Sequence, residues 1–366
     1  MELGIFSLMT LRDHPEGAAG VMGDTKAMVQ AAENLGFDIA WFAEHHFCNY
    51  SMCPSPLMMA SYASGWTKRI KLGTGVIVLP LYNPVRVAQE IALLDIQSEG
   101  RAVIGVGTGY QQFEFERFRL PIEEKVEIFL EYWHVVESIL LHGEVEFEGK
   151  YIKVPKSTFA VRTVQNPMPP VYVTTSQVPL LKRIQHTNAT PFLAASTLGS
   201  QVLYKMVDQL EENWQSIGVD PKTKPLAIMQ YVHVTDSSAE ALEAGERARY
   251  VGRMAHHLRF NDLPMDGSFI SDEPFKGEQT IEQYAANTVV GDVEEVAERI
   301  VKDLRRLNPT HYACNFQFGC MPLNRARRSM ERFVSEVLPL VEKEMGPIGN
   351  VGRERLAGQA ITEARC

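Results

Sequence analysis

Phe37-Asp38-Ile39-Ala40-Trp41-Phe42-Ala43-Glu44-His45-His46-Phe47 is the stretch whose reading decides the fold. It opens as an apolar and aromatic run, the composition of a parallel strand buried on both faces, and stops abruptly at one acid and two adjacent imidazoles. In a barrel of parallel strands, the C-terminal strand ends are where chemistry is done. The rest of the chain must then supply further strands of this kind, alternating with helices.

It does so in both directions. Residues 2–8 read as a first strand, and a helix near 25–35 carries Ala27, Ala31 and Leu35 on one face before Gly36 closes it. Strand two is 38–43. A loop through Cys53-Pro54-Ser55-Pro56 leads to a helix with Met58, Met59, Ala60 and Ala63, suited to a subunit interface or to an ordinary barrel helix. Strands three and four are 70–79 and 102–106, with a helix after Pro84 between them. An irregular polar stretch, 111–119, precedes a long helix over 121–141. Two short runs around Glu148-Gly149-Lys150 predict an accessory hairpin. Strands five, six and seven are 171–175, 191–195 and 226–234, separated by helices from about 176 and over 200–216. An insertion over 239–287 follows strand seven, with a helix near 240–257 and a Gly/Asp/Pro-rich loop over 262–277. A helix over 292–304 starts with the capping-box spacing of Asp292 and Glu295, and strand eight, 311–318, and a helix over 324–344 follow. Eight strand–helix units predict an α/β fold, a (β/α)8 TIM barrel in a single domain over 1–345 with a small, polar, loosely attached tail over 346–366.

The bulk properties agree with a large enzyme-sized core. Of 366 residues, 45% are hydrophobic, and the net charge of −9 without a long basic run argues against nucleic acid or an anionic membrane surface as partner. No apolar stretch is long enough to span a bilayer, and the chain enters a strand at once without a signal-like core, so a cytoplasmic protein is expected. Five cysteines, none in a C-x-x-C pair, read as reduced thiols rather than as disulfides or a zinc site.

Four constellations bear on chemistry. Gly105-Val106-Gly107-Thr108-Gly109 follows a strand but fails as a dinucleotide fingerprint, because the third glycine would fall at Tyr110 and no helix opens directly after it. It remains a bare strand end that can approach a flat ligand or phosphate, or a turn that needs glycine. Thr175-Ser176 at a strand-to-helix junction reads as an anion site, as a helix cap, or as both. Glu44-His45-His46 is not H-E-x-x-H; neighbouring histidines on a strand point to opposite faces, so at most one faces the mouth, and His233, His256, His257 and His311 complete no ligand set for a metal. Tyr110, Glu114, Asn315 and Gln317 are further candidates near strand ends, while Cys48 reads as a bystander and His256-His257 as solvated.

Together these stretches resemble the bacterial luciferase-like family of flavin-dependent monooxygenases. The likeness is carried by Ala43-Glu44-His45-His46-Phe47, by Leu72-Gly73-Thr74-Gly75-Val76-Ile77-Val78-Leu79-Pro80 with Asn83-Pro84-Val85-Arg86, by 94–101 followed by Gly105-Val106-Gly107, by Val173-Thr174-Thr175-Ser176 and by the run from Gly291 to Pro339. The resemblance implies FMN at the barrel mouth, His45 as the catalytic histidine, a non-prolyl cis peptide at Gly75-Val76 against the flavin ring, and Thr108, Thr175 and Ser176 toward its phosphate. Glu44, Tyr110 and His46 are further substrate or lid candidates, with His46, by strand alternation, the structural partner of the pair. Where luciferase has cysteine then arginine on strand four, this chain has Gly107 and Thr108. That argues against luciferase-type light emission and leaves open whether Lys182 or Arg183 replaces the arginine.

The implied activity is a two-component monooxygenase. Reduced FMN from a separate flavin reductase would react with O2 to a C4a-hydroperoxide that oxygenates a small, apolar or aromatic substrate, under a lid formed by 239–287 and in a homodimer. The alternatives are an F420-dependent oxidoreductase on the same barrel and a non-catalytic flavin-binding protein.

Overall fold

Eight parallel strands close on themselves in the computed structural model, which describes residues 1–357. They are β1 (Glu2–Ser7), β2 (Ile39–Phe42), β3 (Lys71–Thr74), β4 (Ala102–Gly107), β5 (Val171–Thr174), β6 (Thr190–Ala194), β7 (Ala227–Val234) and β8 (His311–Asn315). Each pairs with its neighbour in chain order, and β8 pairs back onto β1 (Leu3 opposite Tyr312), which shuts the ring. The expected (β/α)8 barrel is present. A closed ring has no edge strand, so its backbone donors and acceptors are satisfied around the circle.

Helices wrap the outside: α1 (Gly17–Leu35), α2 (Pro56–Ser64), α3 (Pro84–Gln97), α4 (Gln112–Phe118), α5 (Lys125–His142), α6 (Val178–Ile184), α7 (Ser200–Ser216), α8 (Ser238–Phe260), α9 (Ile281–Asn287), α10 (Val293–Leu307) and α11 (Leu323–Arg332). Local signals were faithful where the chemistry is local. Gly36 ends α1 at φ 95°, and Asp292 with Glu295 forms a complete capping box on α10.

Three expectations change. Strand three is interrupted: β3 stops at Thr74, the Gly75–Val76 peptide is cis, and pairing with β4 resumes at Ile77–Val78. The stretch 111–119 is not irregular, because Phe113, Glu114 and Phe115 are buried on α4. Residues 346–357 are no loose tail. The buried Arg355 donates to the carbonyls of Asn308, Pro221 and Leu307 and pairs with Glu211, and the N-terminal amine donates to Ile348. The rest of that tail, 358–366, lies outside the described residues. Among the described residues, no helix is long and apolar enough to cross a membrane.

The barrel is solid at its centre because one indole fills it. Trp41 is fully buried, with ring centroids 4.8 Å from Tyr172, 5.1 Å from Phe192 and 5.5 Å from His311. Glycines make the room: a Cβ on Gly73 would sit 2.4 Å from Trp41, and one on Gly4 2.7 Å from the His311 ring. The indole N–H donates to His311 Nε2 at 2.8 Å, a bond that exists only while that nitrogen keeps its lone pair. Burial accordingly pushes the His311 pKa down to about 3.

Two outcomes follow from this core. Gly73→Ala forces a methyl group into the indole and is expected to cost about 1–3 kcal/mol in denaturant unfolding. In the unfolded chain His311 takes a proton near ~6.5, so below that pH the unfolded state binds a proton that the folded state excludes. The contribution of neutral His311 is complete above about pH 6.5 and is lost as pH falls toward 3, with a limiting slope of ~1.4 kcal/mol per pH unit. Urea unfolding at pH 7.5 and 5.5 should therefore show a larger loss in the unaltered protein than in His311→Gln.

Candidate active site

Above the Trp41 level, the barrel opens. Tyr172 and Phe192 are buried, yet Thr174 and Ala194, two residues further along β5 and β6 on the same interior face, are exposed. An exposed residue on the inside of a closed barrel marks a concavity. Its lining is small: Ala43 and His45 continue the Trp41 face, and Gly75 and Gly107 approach from the adjacent wall. A Cβ on Gly107 would lie 2.4 Å from the Thr174 hydroxyl and 2.9 Å from Val76, so side-chain growth here would fill the cradle.

Two buried carboxylates set the two histidines into different roles. Glu44 is almost fully buried; one oxygen meets His46 Nε2 at 2.9 Å, the other accepts the Val78 N–H at 3.2 Å, and the Tyr82 phenol also bonds to it. Burial raises its pKa, against the opposing pull of His46, Tyr82 and Val78. Glu44 thereby ties the end of β2 to the strand that resumes beyond the cis peptide. Glu114, in the first turn of α4, lies 3.2 Å from His45 Nδ1 and accepts the His46 N–H at 2.8 Å. With Nδ1 engaged, Nε2 is the His45 nitrogen available to a ligand. The imidazole is flanked by Tyr50 and Tyr110, with centroids at 4.7 and 6.2 Å, and Tyr110 is half exposed at the rim.

The other sequence candidates divide. Val76 and Gly107 gather beside Thr174 at the mouth, and Gly75, next to Val76, stands over Phe6 and Trp41. The Thr108 hydroxyl bonds to the neighbouring Gly109 carbonyl, and the buried Thr175 hydroxyl accepts the Gln177 N–H at 3.0 Å. The half-buried Ser176 gives its carbonyl to Asn213, and α6 starts at Val178 without a side-chain cap, so neither hydroxyl caps that helix. Thr174 is the hydroxyl of that segment that reaches the open mouth; the pattern of Thr175-Ser176 at the junction gave no signal for it. Arg183 pairs with Glu137 and Lys182 is exposed on the same helix. Gln317 is taken by Asp24 and the Met321 carbonyl.

His257 proves buried and bonds to the Glu273 carbonyl, while His256 stacks on Phe275 at 3.7 Å; the expectation of solvated histidines is corrected by this packing. Burial pushes the Cys48 and Cys53 thiols up to about 11 and about 12, which leaves both unreactive near neutrality. No group of three or more metal-ligating side chains occurs among the described residues.

Residues 238–287 lie across this end of the barrel. Arg12, beyond β1, forms a paired contact with Glu246 and reaches Asp272; Asn49, beyond β2, bridges the Tyr250 hydroxyl and the Ile270 N–H; Glu116, on α4, meets Asn261. Each anchor lies in the segment that follows the C-terminal end of a barrel strand.

Residues 1–311 match the family described as luciferase-like monooxygenase. An uncharacterised protein of Sinorhizobium fredii is 30% identical over 94% of this chain and 99% of its own. The oxygenase component of a flavin-dependent trigonelline monooxygenase of Acinetobacter baylyi is 26% identical, covering 85% of this chain and 88% of its own. Among solved structures, the monooxygenase RslO1 of Streptomyces bottropensis superposes with a TM-score of 0.79 at 21% identity, over 93% of this chain and 99% of that one.

Glu114→Ala strips the partner from the partly buried His46 N–H and is expected to cost about 1–2 kcal/mol in denaturant unfolding, whereas Glu114→Gln, which keeps an acceptor oxygen, should lose clearly less.

Proposed function

Because the chain belongs to the luciferase-like monooxygenase family, we propose that it is the oxygenase half of a two-component system, using FMN reduced by a separate reductase to put oxygen into a small organic substrate. The observation that carries this reading is the mouth itself: a cradle of Gly75, Val76 and Gly107 beside an exposed Thr174, faced by an imidazole held through Nδ1 by a buried carboxylate. A flat ring system fits walls made of two glycines and one small apolar side chain. The relative named as an oxygenase component supports the pairing with a reductase.

Reduced FMN bound there would supply the two electrons that let one atom of O2 enter the substrate and the other leave as water. Gly75, Val76 and Gly107 would take the ring, and Thr174 with the backbone from Thr175 to Ser176 and at Thr108 would face its polar chain. His45 Nε2 would hold or deliver a proton where the reacting oxygen lies, and Glu114 would keep that nitrogen aimed. The segment 238–287 would act as a lid that excludes water, with Tyr110 on its rim and Glu44 and His46 bracing the strand end. An apolar face of Met58 and Tyr62 on α2 with Leu93 and Ile96 on α3, all exposed, would bury against a second copy as a homodimer.

The test is FMN binding followed by O2. Flavin reduced on the protein should reoxidise with kinetics distinct from those of free FMNH2. Gly107→Leu should weaken FMN binding by roughly 100-fold, the worth of a side chain forced into a ligand's place. His45→Ala should hold FMN within about three-fold yet lower substrate oxygenation by ~10²–10⁴. Reoxidation at the free-flavin rate, together with binding of F420, would sink the reading in favour of hydride transfer.

A further inference from the structure

On the wall away from Gly107, one polar side chain is unaccounted for. Asn315 ends β8, is fully buried, and neither its Oδ1 nor its Nδ2 finds a partner among the described residues. A buried carboxamide unpaired on both atoms is rare in folded proteins and needs an explanation.

Its place follows from the strand. His311 touches Trp41 at the barrel centre, so alternation sets Ala313 one level up and Asn315 two levels up on the same interior face, at the C-terminal end of β8. Asn315 is in register with Tyr231 of β7. That tyrosine stacks on Phe318 at 5.0 Å, bonds to the Ser196 hydroxyl at 3.2 Å, and lies within electrostatic reach of Tyr50 and Tyr110, the rings that flank His45. Beside them Gln111, also fully buried, spends its Nε2 on the Tyr110 hydroxyl at 3.2 Å and leaves Oε1 unpaired. In a ring of eight strands, β8 stands opposite β4, so Asn315 faces the strand of the glycine cradle across the barrel, while Tyr110 and Gln111 reach toward it from the loop that follows β4.

We propose that Asn315, with Tyr231 beside it, is the substrate-recognition wall, and that the substrate is a planar aromatic or heteroaromatic molecule carrying an adjacent hydrogen-bond donor and acceptor, of the amide, lactam or hydroxy-carbonyl kind. The inference rests on the oxygenase reading and narrows its substrate. A carboxamide offers a donor and an acceptor side by side, and the complement is an edge with the same pair. The tyrosine rings supply stacking surface for the rest of the molecule. A pocket that keeps unpaired amides rejects a ligand that cannot bond to them, so a plain hydrocarbon is disfavoured.

The experiment uses FMN-loaded protein and two bicyclic probes of one size, 2-quinolone, which has a lactam edge, and naphthalene, which has none. Equilibrium dialysis should show 2-quinolone bound at least ~10-fold more tightly, the value of one or two hydrogen bonds to otherwise orphaned groups. Asn315→Leu should abolish that preference, keep FMN affinity within about two-fold, and melt at the same or a higher temperature, since it removes an unpaired buried amide. Asn315→Ser, a smaller polar variant, should retain part of the preference. Equal binding of the two probes by the unaltered protein overturns the inference, as does a preference that survives in Asn315→Leu. Loss of FMN affinity in Asn315→Leu also overturns it, by moving Asn315 to the cofactor. An unaltered protein that does not bind FMN at all defeats the oxygenase reading instead, which separates the two failures.

Discussion

The indole of Trp41 at the centre of the barrel is the constraint on which the rest of the structure depends. It packs against the rings of Tyr172, Phe192 and His311 and occupies space that Gly4 and Gly73 leave empty. Below it there is a close-packed core; above it the same strands carry Ala43, Gly75, Gly107 and Ala194, and the interior opens. One large side chain matched to glycines on its neighbours thus decides where the floor of the site lies. The match extends to polarity, because the indole N–H needs an acceptor once buried, and the His311 lone pair is that acceptor.

The second level of organisation is a pair of buried carboxylates. Adjacent histidines on an extended chain diverge, and each finds an acid from a different source. Glu44, two residues before His46, holds that ring and the resumed strand at Val78. Glu114, from the far end of the next loop but one, holds His45. The first arrangement secures the strand end and the second leaves an imidazole nitrogen toward the cavity. A carboxylate that fixes one histidine nitrogen defines the chemistry available at the other.

The sequence was legible wherever the determinant was local. Buried parallel strands announce themselves as apolar runs, and capping boxes and left-handed glycines mark helix ends, so the eight units and their order could be read directly. It was less legible where a short polar-looking stretch hid a buried face. Residues 111–119 carry enough charge to resemble a loop, yet Phe113, Glu114 and Phe115 turn inward together on α4. At the end of β5 the hydroxyl pair Thr175-Ser176 was the visible signal, yet Thr175 is buried and Thr174 before it is exposed. Arg355 shows the same effect, since a polar tail gave no sign that one guanidinium would be clasped by the carbonyls of Pro221 and Lys224 and of Leu307 and Asn308 at the end of α10.

The amino-acid sequence by itself determined the alternation of strands and helices, the closure implied by eight of them, and the acid-and-imidazole strand end, because these depend on periodicity and on neighbours along the chain. Only the tertiary structure decided which partner each imidazole takes, which side chains line the open half of the barrel, and that Asn315 is buried at the end of β8 with both amide atoms unpaired. Those outcomes depend on residues brought together from strands and loops far apart in the chain, by a packing that Trp41 and its glycines fix in three dimensions.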